Sequence, residues 1–311
     1  MKPPVVLTNP LRPVILAAAR SSRCEHAITS TSLSRQLVNR FVAGSGRSDA
    51  IDVVSRLLDG GRYVSVDFLG EHVTDTAAAQ ATVDEYLSLI EELGKLTDST
   101  TSVPPVEVSM KLSALGVEFC AEDAVKNARI LCEAAQSSGV WVTVDAEDHT
   151  TTDSTLAAVR LLHNDFPWLG TALQAYLKRT ESDCHEFADA RIRLCKGAYN
   201  EPSSVAYRRR DEVTASYLRC LDVLCEGTGY PMVASHDPAV IEAAAHRVRR
   251  QFEYQMLYGI REDEQARLVA AGNRVRTYVP YGSAWYPYFM RRLAERPANL
   301  RFFLRSLVSR N

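Results

Sequence analysis

The sequence has no C-x-x-C pair, no H-x-x-x-H or H-E-x-x-H spacing and no G-x-G-x-x-G turn. The first three absences argue against a zinc site, and the last against a dinucleotide cradle at a strand–helix turn. The seven cysteines, at 24, 120, 132, 184, 195, 220 and 225, are odd in number and scattered. That is the pattern of reduced thiols in a cytoplasmic protein rather than of a disulfide framework. No apolar run reaches the ~18 residues a membrane span needs. With 36 Lys and Arg against 38 Asp and Glu, the net charge of -2 leaves no broad basic surface for nucleic acid. The one glycine-rich stretch, GSGRSD (44–49), has no strand before it, so it reads as a structural loop.

What is present is a soluble, globular composition, 46% hydrophobic and 24% charged, over 311 residues, a length normal for one α/β barrel. Residues 1–24 carry Lys2, Arg12, Arg20 and Arg23 and no acid, which is mildly transit-peptide-like. A first amphipathic helix, with Ile15, Ala18 and Ala19 on one face, is the plainer reading. The first ~60 residues read as helices.

From Tyr63 a short β-branched run ending in polar residues alternates with a helical stretch. Strands are expected at 63–70, 106–116, 141–147, 170–176, 191–199, 230–237, 252–259 and 275–282. Helices are expected at 75–94, 122–137, 153–165, 204–226, 238–250 and 262–271. Ala79, Val83, Leu87 and Ile90 mark the buried stripe of the first of these. Asp153 and Asp237 look like N-caps, the latter followed by Pro238. The alternation predicts α/β architecture: a distorted (β/α)8 TIM barrel with extra N-terminal helices, in one domain spanning 1–311. Within it, 1–60 supply the N-terminal helices and 61–311 the barrel and a C-terminal substrate-binding helix. An open doubly wound sheet is the alternative.

The active site of such a barrel lies at the C-terminal strand ends. Polar residues gather there: Lys111; Asp145 and Glu147; Gln174; Arg193, Lys196, Gly197, Ala198 and Tyr199; Ser235, His236 and Asp237; Glu253 and Gln255; Tyr278. A strand buried on both faces is expected to be nearly all apolar, so charges on nearly every strand point to a ligand. In the last helix, Tyr288, Arg291, Arg292 and Glu295 fall at i, i+3, i+4 and i+7, on one face. Two adjacent guanidinium forks suit the bidentate grip of a carboxylate, with Glu295 placed to hold one of them; a solvated charged face is the bland alternative. Tyr281, Trp285, Tyr286 and Phe289 read mostly as core packing.

In order along the chain stand SMKLSALG, VDAE, RLCKGAY, ASHD, FEYQMLYG and YPYFMRRLAER. With this set the chain resembles the bacterial monofunctional proline dehydrogenases, FAD enzymes of proline catabolism, from about Tyr63 to Leu304. The resemblance implies oxidation of L-proline to Δ1-pyrroline-5-carboxylate by hydride transfer from C5 to flavin N5, with a membrane quinone as electron acceptor. It implies that Lys111, Arg291 and Arg292 bind the proline carboxylate, and that Glu295 orients the arginines. Tyr278, Tyr288, Leu257 and Tyr199 would shape the pocket around the ring. Asp145 and Arg193 match positions of active-site residues, Arg193 donating a hydrogen bond to N5. Ala146, Gln174, Lys196, Gly197, Ala198, Ser235 and His236 match flavin-contact positions. Gly197 and Ala198 would let the backbone approach the cofactor closely. Cys195 departs from the aliphatic residue common there. No aldehyde-dehydrogenase half is present, so a separate pyrroline-5-carboxylate dehydrogenase would take the product. Hydroxyproline or another cyclic amino acid is the alternative substrate, and a barrel without catalysis the alternative of another class.

A cytoplasmic protein follows, with peripheral contact to the inner face of the plasma membrane as one reading of Arg296, Arg301, Arg305 and Arg310 beside Phe302, Phe303 and Leu304. An ordinary terminal helix is the other.

Overall fold

The structure, a computed structural model, describes residues 38–97 and 103–295, the segment 293–295 as backbone alone. The N-terminal stretch before residue 38, and the arginines from Arg296 onward, lie outside the described residues.

Eight parallel strands close into one barrel in chain order. They are β1 (Tyr63–Phe68), β2 (Val106–Met110), β3 (Trp141–Val144), β4 (Gly170–Gln174), β5 (Arg191–Cys195), β6 (Tyr230–Ala234), β7 (Glu253–Leu257) and β8 (Val275–Tyr281), and β8 pairs back with β1. Closure rules out the open sheet. Every expected strand is present, and every one stops earlier than its polar tail. After β2, Lys111 opens a 3-10 turn over Leu112–Leu115. After β5, Gly197 turns the chain at φ +105°. The polar tails are therefore mouth loops.

The helices are α1 (Arg47–Asp59), α2 (Thr76–Gly94), α3 (Ala121–Ser137), α4 (Thr152–His163), α5 (Thr180–Glu186), α6 (Arg210–Glu226), α7 (Pro238–Arg247), α8 (Glu262–Ala270) and α9 (Trp285–Glu295). The segment GSGRSD is half loop and half helix: α1 starts at Arg47, and Asp49 accepts from the Gly46 amide at 3.1 Å. Asp237 caps α7 as expected, accepting from Ala239 N at 3.0 Å with Pro238 next to it. Asp153 does not cap α4. Thr151 holds that position, and Asp153 sits in the first turn, paired with Arg179. The helix expected from 204 begins at Arg210 because the preceding loop docks on the end of β4: Tyr207 N reaches Tyr176 O at 2.7 Å and Lys178 N reaches Val205 O at 2.9 Å.

The strands alternate strictly. Val64, Val66, Val106, Val108, Val142, Val144, Ile192, Leu194, Tyr254 and Met256 point outward and form one apolar cluster with the helices. From α2 that cluster takes Val83, Tyr86, Leu89, Ile90 and Leu93, while Leu87 packs at its edge. The other face of the strands fills the barrel with charge. Glu107 binds Arg191 at 2.8 Å and Arg193 at 2.6 Å, and Glu253 binds Arg276 at 2.7 Å. Gln255 donates to Glu253 at 2.6 Å, and Arg191 lies 3.8 Å over the Trp141 ring. The expectation of apolar strands fails for a physical reason: each interior charge has an opposite partner within the barrel, which is how such a charge is tolerated away from water. Glu253 and Gln255 are thus members of a structural network, which also explains part of the charge on the strands without any ligand.

Burial works against the charge of Glu107, yet Arg276, Arg193 and Arg191 hold its pKa down to about 2. A depressed carboxylate stabilises the fold above its unfolded value, and that contribution is lost as pH falls from the ordinary 4.5 toward 2. We expect Glu107→Gln to lower stability by about 3 kcal/mol at neutral pH. The loss should shrink as the pH of a urea unfolding series is lowered; a pH-independent loss would contradict it.

Candidate active site at the barrel mouth

Above the floor of the barrel sits Arg193, 3% exposed. Its Nε donates to Gln255 at 2.6 Å, Nη1 to Ser109 at 2.8 Å and to Asp145, and Nη2 to Ser65 at 3.1 Å and Glu107 at 2.6 Å. These five acceptors match the five N–H donors of a guanidinium. A hydrogen bond from Arg193 to a flavin nitrogen would therefore share a hydrogen or replace one of these bonds.

Asp145, just past β3, links this network to the mouth. Tyr278 of β8 donates to its Oδ2 at 2.7 Å, and Lys111 Nζ stands 3.4 Å from the same oxygen. Lys111 is gripped by both oxygens of Asp67, each at 2.8 Å, and lies 3.4 Å from the Tyr278 hydroxyl. Burial disfavours the ammonium, but Asp67, Asp145 and Glu71 hold its pKa well above the ordinary lysine value. It is a fixed cation. Burial, then the two aspartates, push the Tyr278 phenol well up, so it stays a donor.

Arg291 on α9 points back to this cluster. Glu71, in the loop after β1, takes both ends of its guanidinium, at 3.1 and 2.6 Å. Burial opposes the Glu71 charge, yet Arg291 and Lys111 hold that carboxyl below its ordinary value. The Arg291 guanidinium lies 5.6 Å from the Tyr199 ring centre, and Arg292 lies 5.3 Å from that of Tyr288. Tyr288 is buried in an apolar cluster with Phe41, Tyr286 and Phe289, against which Leu257 and Tyr278 pack. So Lys111, Tyr278, Tyr199 and Arg291 are brought together from four separate segments, with Leu257 and Tyr288 at the apolar edge. The Glu295 side chain lies outside the described residues; among the described residues the carboxylate that holds Arg291 is Glu71.

Sequence reasoning passed over Asp67, Glu71 and Glu107. A signal for two of them existed: Asp67 and Glu107 occupy the polar positions of the period-2 runs VSVD and VEVS. Glu71 had none, because a loop acid is ordinary.

The residues expected at a cofactor line the ends of β3 to β6. Ala146, Gly197 and Ala198 are half-buried, and Gln174 donates to Glu147 O at 2.7 Å. Lys196 Nζ reaches Thr214 at 2.8 Å and pairs with Asp237. Ser235 accepts from Asp237 N at 3.1 Å, and His236 Nε2 accepts from Leu257 N at 2.9 Å. That ring nitrogen is thus engaged within the mouth rather than left for the distal half of a cofactor. The donor set fits a flavin dinucleotide: small residues leave room for a flat ring, while an ammonium, a hydroxyl and the first turn of α7 suit phosphates. Gly197 is required on conformational grounds of its own. At φ +105° a side chain is strained, and a Cβ there would lie 2.2 Å from the Tyr176 ring.

Fold and site define a (β/α)8-barrel with buried cations and small mouth residues gathered at the C-terminal strand ends, where such barrels carry their chemistry. A family model described as proline dehydrogenase matches residues 50–305. Proline dehydrogenase 1 of Bacillus subtilis subsp. natto is 36% identical over 280 residues, covering 87% of this chain and 90% of its own. The proline dehydrogenase of Deinococcus radiodurans is 38% identical over 285 residues, 88% of this chain and 90% of its own. Among solved structures, proline utilization A (PutA) from Bdellovibrio bacteriovorus superposes with a TM-score of 0.77 at 24% identity, covering 92% of this chain and 36% of that one, a likeness of fold. The chain belongs to the proline dehydrogenase family. It is, like the members of that family, an FAD-dependent flavoprotein oxidoreductase.

We expect Gly197→Ala to cost about 2–4 kcal/mol, from backbone strain plus displacement of Tyr176. A denaturant midpoint equal to that of the wild type would show that the mouth loop tolerates a Cβ.

Proposed function

We propose that the chain oxidises L-proline to Δ1-pyrroline-5-carboxylate, the first step of proline breakdown toward glutamate. The observation that carries this is the meeting of Lys111, Tyr199, Tyr278 and Arg291, a cationic and aromatic set built for a small cyclic amino acid. Lys111, Arg291 and Arg292 bind the substrate carboxylate; the planar forks set its direction and the ammonium adds charge. Tyr278, Tyr199, Leu257 and Tyr288 enclose the ring and exclude water from it. Asp145 keeps Tyr278 and Arg193 in place, and Glu295 supports the arginine pair.

Bound FAD supplies the two-electron acceptor. Ala146, Gln174, Arg193, Lys196, Gly197, Ala198, Ser235 and His236 hold it. The nitrogen lone pair expels the hydride from C5 as the C=N bond forms, so the neutral amine is the reactive form, and water takes the proton the nitrogen then releases. The carboxylate clamp provides the alignment such a transfer needs. Because Arg291 already carries Glu71, the substrate carboxylate must share that fork or displace Glu71 from it.

We propose a membrane quinone as the acceptor of the electrons and a separate pyrroline-5-carboxylate dehydrogenase as the consumer of the product. Among the described residues no helix is long and apolar enough to cross a membrane. Peripheral contact through the C-terminal arginines is proposed as the way quinone is reached.

Proline added anaerobically to the purified flavoprotein should bleach the visible flavin band, and a short-chain quinone should restore it. A flavin that proline leaves coloured refutes the reading. Arg291→Met and Arg292→Met should each raise the proline KM roughly 100-fold, through loss of a charge-assisted bidentate contact. Near-normal KM in both removes the clamp.

A further inference from the structure

We propose that Glu201 is a positioning residue: its buried carboxylate clamps the β3 and β5 mouth loops together and fixes the segment Lys196–Tyr199. Glu201 is 5% exposed, and three bonds converge on it. The backbone amide of His149, four residues past Asp145, donates to Oε1 at 3.1 Å. The His149 ring pairs with Oε2 through Nδ1. The Tyr176 hydroxyl donates to Oε1 at 3.2 Å. One carboxylate from the β5 loop thereby holds the loop that carries Asp145 and Ala146 and the aromatic two residues past β4.

The same tyrosine pins the other end of the segment. The Tyr176 ring lies against Gly197, where the turn leaves no room for a Cβ, and Tyr176 N donates to Lys196 O at 2.9 Å. Burial, reinforced by the Glu201 carboxylate, pushes the Tyr176 phenol up, so it remains a donor. The stretch from Lys196 to Glu201 is therefore fastened at both ends to one residue, by the backbone amide of Tyr176 at Lys196 and by its hydroxyl at Glu201. Between those points stand Gly197, Ala198 and Tyr199, whose ring meets Arg291. A loop held this way presents its small residues and its aromatic in one arrangement; released, it must be ordered again each time ligand binds, which weakens binding. None of these contacts reaches the reacting atoms, so the role is orientation.

This inference rests on the reading that residues 196–199 face FAD. Its test is FAD affinity of the apoprotein, measured by quenching of flavin fluorescence, alongside proline KM and kcat of the reconstituted enzyme. Glu201→Ala should weaken FAD binding roughly tenfold or more, since it strands a half-buried amide and a buried hydroxyl. It should raise the proline KM more than it lowers kcat, and speed hydrogen exchange over 145–151. Glu201→Gln keeps an acceptor oxygen for His149 N and Tyr176, and should recover FAD affinity to within about threefold of the wild type. A folded Glu201→Ala protein with wild-type FAD affinity and KM overturns the clamp, as does a Gln variant no better than Ala. If Glu201→Ala does not fold, Tyr176→Phe decides, since it keeps the ring on Gly197 and removes one bond: unchanged FAD affinity overturns the clamp. A wild-type protein that takes up no FAD overturns the flavin reading and the clamp together, whereas equal uptake by wild type and variant overturns the clamp alone.

Discussion

The guanidinium of Arg193 is the point on which the barrel and its mouth both depend. It draws acceptors from β1, β2 and β7 and from the residue that follows β3. Removing a charge so placed would leave Glu107 and Asp145 buried with too little compensation, the costly case for an interior ion pair. Below it, Glu107 passes the constraint to Arg191 and Arg276, and through Arg276 to Glu253. Above it, Asp145 passes the constraint to Tyr278 and Lys111. Floor, centre and mouth form one chain of opposite charges.

This arrangement divides the work between the two faces of each strand. The outward face supplies hydrophobic burial against the helices, which is where fold stability arises. The inward face contributes little net stability, because desolvation offsets most of the Coulombic gain. What the inward face provides is position: side chains with a single satisfied arrangement do not wander. A site that must align a carbon with a flavin ring needs that rigidity more than it needs affinity. Family membership fixes the cofactor and class of reaction, and the interior network explains how one sheet serves as core on one side and reaction vessel on the other.

Much of this was legible from the chain alone. The eight strands could be counted because β-branched residues recur at short intervals between helical stretches, and Asp237–Pro238 announced a helix start correctly. Asp153 misled, because a first-turn acid and a capping acid look alike in sequence; only its bond to Arg179 tells them apart. Gly197 was expected to be small for the sake of a cofactor, and it is small at least as much for the sake of Tyr176. Arg193 and Glu253 were read toward a ligand, and each is paired inside the barrel with a charge that reading passed over, Glu107 and Arg276.

The sequence by itself determined the barrel, through the period-2 alternation of its strands and their spacing, and it determined the family, through an ordered set of local motifs. Both are properties of neighbours along the chain. Which acid meets which base was decided only by closure of the barrel, since Asp67 meets Lys111 and Glu71 meets Arg291 across separations of 44 and 220 residues. No local pattern encodes such a meeting. It follows from strand order and register, which bring distant side chains within a few ångströms, and burial then leaves each charge no partner but the one the fold supplies.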